Sequence, residues 1–200
     1  MEDISKPETL YIGIDDSNHA GQNKKGEIIL ATFSRDPDDG KAQRQNVRRD
    51  AHKASLWFNQ KNHDYRFTIL SDEDSRHRGY NVVLIAPLLI RAYLEEHCPD
   101  IDKLFIACDG PIRRNQKIYI EEHFSEYRVQ AEGFIKKTHH NGKLQSSCIA
   151  PYVVTAADVW AHWLYSTQPL EALATSPKMV AISSVTVEEC NQKIRETLHI

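Results

Sequence analysis

In the stretch Leu10-Tyr-Ile-Gly-Ile-Asp15, the apolar residues Leu10, Ile12 and Ile14 alternate with Tyr11, Gly13 and Asp15, the period of two that gives each set its own face of a β-strand. The run ends in acid. Asp and Asn are poor strand residues, so Asp15, Asp16, Ser17 and Asn18 predict the end of the strand, in a turn region continuing through Gly21 to Gly26. Residues 26–34 read as a second strand, reached by a connection too short for a helix, which implies an antiparallel hairpin. Asp36-Pro-Asp-Asp-Gly40 closes it with turn chemistry. Residues 41–59 then place Val47, Ala51, Ala54 and Phe58 at helical spacing. The other faces of that helix carry Lys41, Arg44, Arg48, Arg49 and Lys53, which suits a solvated surface or, alternatively, a phosphate-contacting one.

Residues 65–70 alternate again and predict a third strand, followed by a polar loop over 71–79. A helix is expected over 81–97, with an irregularity at Pro87 and Pro99 after its end. Residues 104–108 are apolar without alternation, as in a strand covered on both faces, and this fourth strand also finishes on an acid, Asp109. A short helix over 118–124, a fifth strand over 128–135 interrupted by Gly133, and a cationic loop over 136–143 follow. A helix beginning near Pro151 runs through Tyr165 and is bounded by Pro169; the tail offers a strand over 179–182 and a last helix over 187–198. Strands with a hairpin link followed by alternating helices and strands predict an α/β fold, a mixed sheet flanked by helices. One domain over 8–166, with 167–200 packed on it as an extension, is the expected organisation.

A length of 200 residues fits that single domain. The formal charge of −3 excludes nucleic-acid binding through sheer excess of basic charge, while leaving local basic patches open. Cys98, Cys108, Cys148 and Cys190 show no Cys-x-x-Cys pairing, which suits reduced thiols in a cytoplasmic protein rather than a zinc site or disulfide framework. The N-terminus is polar and acidic, and the longest apolar run, residues 82–90, is too short to span a bilayer, so no membrane association is expected.

If the 81–97 helix is a right-handed crossover, the fourth strand returns parallel to the first and beside it. Asp15 and Asp109 then lie at the carboxyl ends of adjacent strands, where open sheets place their sites. Two such carboxylates stay ionised cheaply only with a cation between them, and Mg²⁺ or Mn²⁺, a hard ion that takes carboxylates, water and phosphate oxygens, is the natural partner. Asp158, on a helix otherwise lined with Val153, Ala157, Trp160, Ala161 and Leu164, is the third candidate. Strand-end turns and a helix dipole give each acid an ordinary alternative explanation.

These residues resemble a pattern of the RNase H-like superfamily, in groups whose first strand ends in Asp-Glu-Ser-Gly and whose last helix contains Leu-Ala-Asp. Ile14-Asp-Asp-Ser-Asn18 and Ala156-Ala-Asp158 are the similar stretches, with 104–109 between them. The resemblance implies a five-stranded mixed sheet with Asp15, Asp109 and Asp158 as metal-binding carboxylates for phosphodiester hydrolysis, and Asp16 as an auxiliary acid. Asp16 stands in place of the Glu and Asn18 in place of the Gly, and a charged helix lies where a plain hairpin is expected. His162, one helical turn after Asp158, is a candidate for proton transfer, against the commoner role of a packed or surface histidine. Arg113, Arg114 and Lys117, together with Lys136, Lys137, His139, His140 and Lys143, are candidates for holding the backbone of DNA or RNA, or else solvated loop residues. Tyr119 and Trp57 are stacking or core residues. A receiver-type domain is disfavoured because its first strand leads directly into a helix, and a haloacid-dehalogenase-like phosphatase because Asp15-Asp-Ser17 is not Asp-x-Asp. The expected function is a metal-dependent nuclease; the alternative is a non-catalytic RNase H-like module that binds nucleic acid or protein.

Overall fold

A computed structural model of the chain describes residues 8–17, 26–37, 64–70, 81–97, 100–134, 139–140, 143–144 and 152–183, with positions 189, 192 and 196. The predicted 41–59 helix, the 71–79 loop, Lys136, Lys137, Trp57, Cys98, Cys148 and Cys190 lie outside the described residues.

The first strand, β1 (Thr9–Ser17), is the middle of a five-stranded sheet of order β3-β2-β1-β4-β5. It pairs antiparallel with β2 (Glu27–Ser34), which pairs antiparallel with β3 (Asp64–Leu70). On its other side it runs parallel to β4 (Lys103–Asp109), which runs parallel to β5 (Arg128–Phe134). This is the mixed α/β sheet expected from the pattern of hydrophobic and polar residues. A separate pair, β6 (His139–His140) and β7 (Lys143–Leu144), is antiparallel.

Alternation along β1 sorts the two layers. Leu10, Ile12 and Ile14, with Leu104, Ile106 and Cys108 of β4 and Ile29, Ala31 and Phe33 of β2, pack against helix α1 (Asn81–His97). Each fully buried aliphatic side chain there contributes roughly 1.5–3 kcal/mol. The helix runs through Pro87 with the expected bounds, because its whole middle, Val83 to Leu89, is held in this core except half-buried Leu88. Tyr119, Ile120 and Phe124, from or just after helix α2 (Arg114–His123), extend the same layer.

Helix α3 (Tyr152–Thr167) covers the opposite face. Ala156, Ala157, Trp160, Ala161 and Leu164 pack with Ile28 and Leu30 of β2 and Phe67 of β3. A run of alanines lets the helix lie close to the sheet, and Gly13 lets it lie closer still: a Cβ there would be 2.1 Å from the Val153 carbonyl oxygen. The buried Thr32 hydroxyl donates to the same carbonyl at 2.9 Å, which satisfies the hydroxyl and ties the helix to β2 at the contact.

The short helix α4 (Leu170–Ala174) buries Leu173, and the chain then passes along the outer edge of β3. Phe67 N–H donates to the Lys178 carbonyl at 3.1 Å and Val180 N–H to the Phe67 carbonyl at 2.8 Å, which pairs part of the outer edge of β3. The extended run predicted over 179–182 is reduced to an isolated bridge at Met179. Lys178 Nζ also reaches Asp64 Oδ1 at 2.7 Å. Desolvation raises the Asp64 pKa, but Lys178 and Arg66 outweigh it and hold the carboxyl below its ordinary value.

A Gly13→Ala chain forces α3 off β1 or bends the strand, and should lose about 2–3 kcal/mol of stability in urea or thermal unfolding. Unchanged stability contradicts the close packing described here.

Candidate active site at the carboxyl ends of β1 and β4

The register of β1 and β4 fixes where the acids fall. Gly13 pairs with Ala107 and Ile14 with Cys108, so Asp15 and Asp109 are the next residues on two strands about 4.8 Å apart. Asp15 shares its face with Gly13 and Tyr11, and Asp109 shares that face with Ala107 and Phe105; this is the face under α3. Asp15 is buried and Asp109 half-buried. Asp15 Oδ1 accepts the Asp16 N–H at 2.9 Å, which fixes the carboxylate against the strand.

Cys108 senses both acids. Its thiol, buried in the α1 layer, is pushed up to about 12, mainly by burial and further by the charges of Asp15 and Asp109.

The strand does not stop at Asp15 as the sequence predicts. It continues through Asp16 to Ser17, because Leu30, Ile29 and Ile28 of β2 supply ladder partners for all three residues. Tertiary pairing overrides the poor strand propensity of Asp. The extension turns Asp16 to the α1 side, opposite Ile29, so it is not brought onto the face of Asp15 and Asp109. Ser17 returns to that face, buried, and among the described residues its hydroxyl has no hydrogen-bond partner. Sequence reading passed over Ser17, although its place two residues after Asp15 was the available signal.

Asp158 lies half-buried in the second turn of α3, between buried Ala157 and Val159. Val154, one turn earlier on the same strip of the helix, packs with Ala107 and with Phe134, the residue paired with Asp109. Asp158 thus belongs to the layer that faces the two strand-end acids. His162, a further turn on, is exposed. Among the described residues no three His, Cys, Asp or Glu side chains are grouped closely enough to hold a metal ion. The donor set at the strand ends is a pair of carboxylates, and hard oxygen donors of this kind suit Mg²⁺ or Mn²⁺.

Basic residues follow Asp109 because the chain reverses there. Gly110, at φ 102°, takes a backbone conformation that favours glycine, and its N–H donates to the Phe134 carbonyl at 2.7 Å. The turn then crosses so close over β5 that a Cβ on Gly133 would lie 2.3 Å from Ile112 N and 2.5 Å from Gly110 O. The glycine that interrupts the strand pattern is there for this crossing. Exposed Arg113 and Arg114 and half-buried Lys117 come immediately after it. Buried Gln116 accepts the Arg113 N–H at 2.7 Å and starts α2 four residues before the apolar pattern predicts. Tyr119, a stacking candidate, is a core residue.

No protein-family model matches the chain, and the curated proteins contain no match to its sequence. Solved structures similar to it include two ribonucleases. Ribonuclease H2 from Pyrococcus horikoshii OT3 aligns over 96% of this chain and 89% of its own at 14% identity, with a TM-score of 0.46. RNase HII from Archaeoglobus fulgidus, solved in complex with PCNA, aligns over 96% and 91% at 15% identity, with a TM-score of 0.43. Among the described residues, no helix is long and apolar enough to cross a membrane.

Gly133→Ala should displace the turn after Asp109, seen as faster hydrogen exchange at the Gly110 N–H and a melting temperature several degrees lower, about 2–4 °C per kcal/mol lost. Wild-type exchange at Gly110 contradicts the tight crossing.

Proposed function

We propose that the chain is a metal-dependent nuclease, hydrolysing phosphodiester bonds of DNA or RNA with Asp15 and Asp109 as the paired carboxylates of the site. The observation that supports this reading most is the parallel register of β1 and β4, which makes two acids neighbours on one face at the carboxyl end of the sheet. Asp15 and Asp109 would hold Mg²⁺ or Mn²⁺, with Asp158 as the third acid from α3. When bound, the ion supplies Lewis-acid charge to the phosphoryl group and acidifies a water.

The protein's own groups do the rest. Asp16 contributes chiefly its N–H, which orients Asp15, rather than its carboxylate. His162 would exchange a proton with solvent beside the helix acid. Arg113, Arg114 and Lys117, delivered by the Gly110 turn, would neutralise the backbone phosphates near the acids, and Lys136 and Lys137 would extend that contact. A second reading, a non-catalytic module that binds nucleic acid or protein, is favoured by the spacing of the acids, since no three are grouped as ligands among the described residues.

Labelled single-stranded and duplex DNA and RNA, and RNA–DNA hybrid, incubated with Mg²⁺ or Mn²⁺, separate the two readings. Cleavage that falls about 100-fold or more in Asp15→Asn and in Asp109→Asn supports the enzyme; binding without cleavage supports the module. In the same assays, replacing Arg113 and Arg114 with Ala should raise KM and reduce the steepness of the salt dependence by roughly one per lost phosphate contact. An unchanged salt dependence removes these two residues from the interface.

A further inference from the structure

β1 outruns its parallel neighbour. Beyond the Ile14–Cys108 pair, β4 ends at Asp109 and the chain turns at Gly110 to bridge Phe134 of β5, whereas β1 continues to Ser17 with pairing only from Ile28 on the β2 side. Among the described residues, Asp15, Ser17 and Asp109 are the residues that end the two strands on the α3 face. We infer that Ser17 is a substrate-contacting residue, its hydroxyl donating a hydrogen bond to a non-bridging phosphate oxygen of nucleic acid bound over the paired acids. This rests on the nucleic-acid reading above and assigns it one further residue.

Two observations carry the inference. Ser17 is only 5% exposed, yet among the described residues its Oγ has no hydrogen-bond partner, a deficit that most buried polar groups avoid and that a ligand would repair. It also stands on the face of Asp15, two residues along the strand and so roughly 6–7 Å away, at the point where no neighbouring β4 residue continues the ladder. The chemistry fits a phosphate. A phosphodiester oxygen only accepts hydrogen bonds, and a phosphate brought beside carboxylates needs donors that add no further negative charge. A serine hydroxyl is a neutral donor of that kind.

Thr68 supplies the internal contrast. Among the described residues its hydroxyl is likewise buried and without a partner, but Thr68 pairs with Ile29 on the α1 face, within the hydrophobic layer and away from Asp15 and Asp109. Its hydroxyl lies on the sheet face opposite to that of Asp15 and Asp109, and it is the control.

The test uses the full chain as wild type, Ser17→Ala and Thr68→Val, with short fluorescein-labelled DNA, RNA and RNA–DNA duplexes in Mn²⁺. Steady-state cleavage, fluorescence anisotropy and melting of the ligand-free protein are all measured. Ser17→Ala should raise KM and weaken binding about tenfold, leave kcat within about twofold, and leave the melting temperature unchanged or slightly higher, since no internal bond is lost. Thr68→Val should match wild type in KM. A Ser17→Ala protein with wild-type KM and affinity, or one that melts lower without ligand, overturns the assignment of Ser17 while leaving the nuclease reading intact. A wild-type protein that neither binds nor cleaves any of the duplexes overturns both.

Discussion

The parallel register between β1 and β4 is the constraint from which the site follows. With Ile14 opposite Cys108, the even positions of both strands enter the α1 layer and the odd positions carry their acids to the α3 face. A slip of one residue would turn Asp15 into the hydrophobic layer and Ile14 out of it, so the burial of Leu10, Ile12 and Ile14 fixes the position of the carboxylate chemistry. Stability and function are tied through one ladder. Hydrophobic burial alone would hold the register even if the acids did nothing.

The second layer depends on backbone closeness rather than on large side chains. Gly13 and the alanines of α3 let the helix rest on β1 and β2, and the Thr32 hydroxyl secures the Val153 carbonyl at the contact. Because Val154 is locked beside Ala107 and Phe134, the strip of α3 that carries Asp158 is directed toward β4. Gly110 and Gly133 serve the other side of the site in a similar way. Their missing side chains let the chain fold back over β5 and deliver Arg113 and Arg114 directly after Asp109. Three glycines and the alanines of α3 therefore arrange groups of both charges around one end of the sheet.

Much of this was legible in the sequence because the period of two is strong in residues 10–15 and 65–70, and the apolar run at 104–108 lacked alternation as a central strand should. The crossover helix over 81–97 could be read to its ends, since its apolar content and the flanking Pro99 are local signals. Three features were not legible. The extension of β1 through Asp16 and Ser17 comes from ladder partners on β2, which local propensity does not see. The early start of α2 at Arg114 depends on Gln116 accepting the Arg113 N–H, within a stretch that reads simply as polar. The role of Gly133 requires knowing that the turn at Gly110 crosses over it, a relation between positions on two strands. The acids themselves were found because strand ends are where carboxylates are conspicuous. That they lie side by side needed the crossover to be assumed, and the pairing of β1 with β4 supplies it.

The central claim is that Asp15 and Asp109 act together on a divalent cation, and the most direct measurement is the melting temperature of the protein titrated with Mn²⁺, in wild type and in Asp15→Asn and Asp109→Asn. Binding to the folded state at about 100 times the dissociation constant should raise the wild-type melting temperature by roughly 5–10 °C. Each substitution should abolish that rise, and in the absence of cation should itself melt no lower than wild type, because it removes one of two neighbouring like charges. A rise of wild-type size in both substituted proteins would contradict the account.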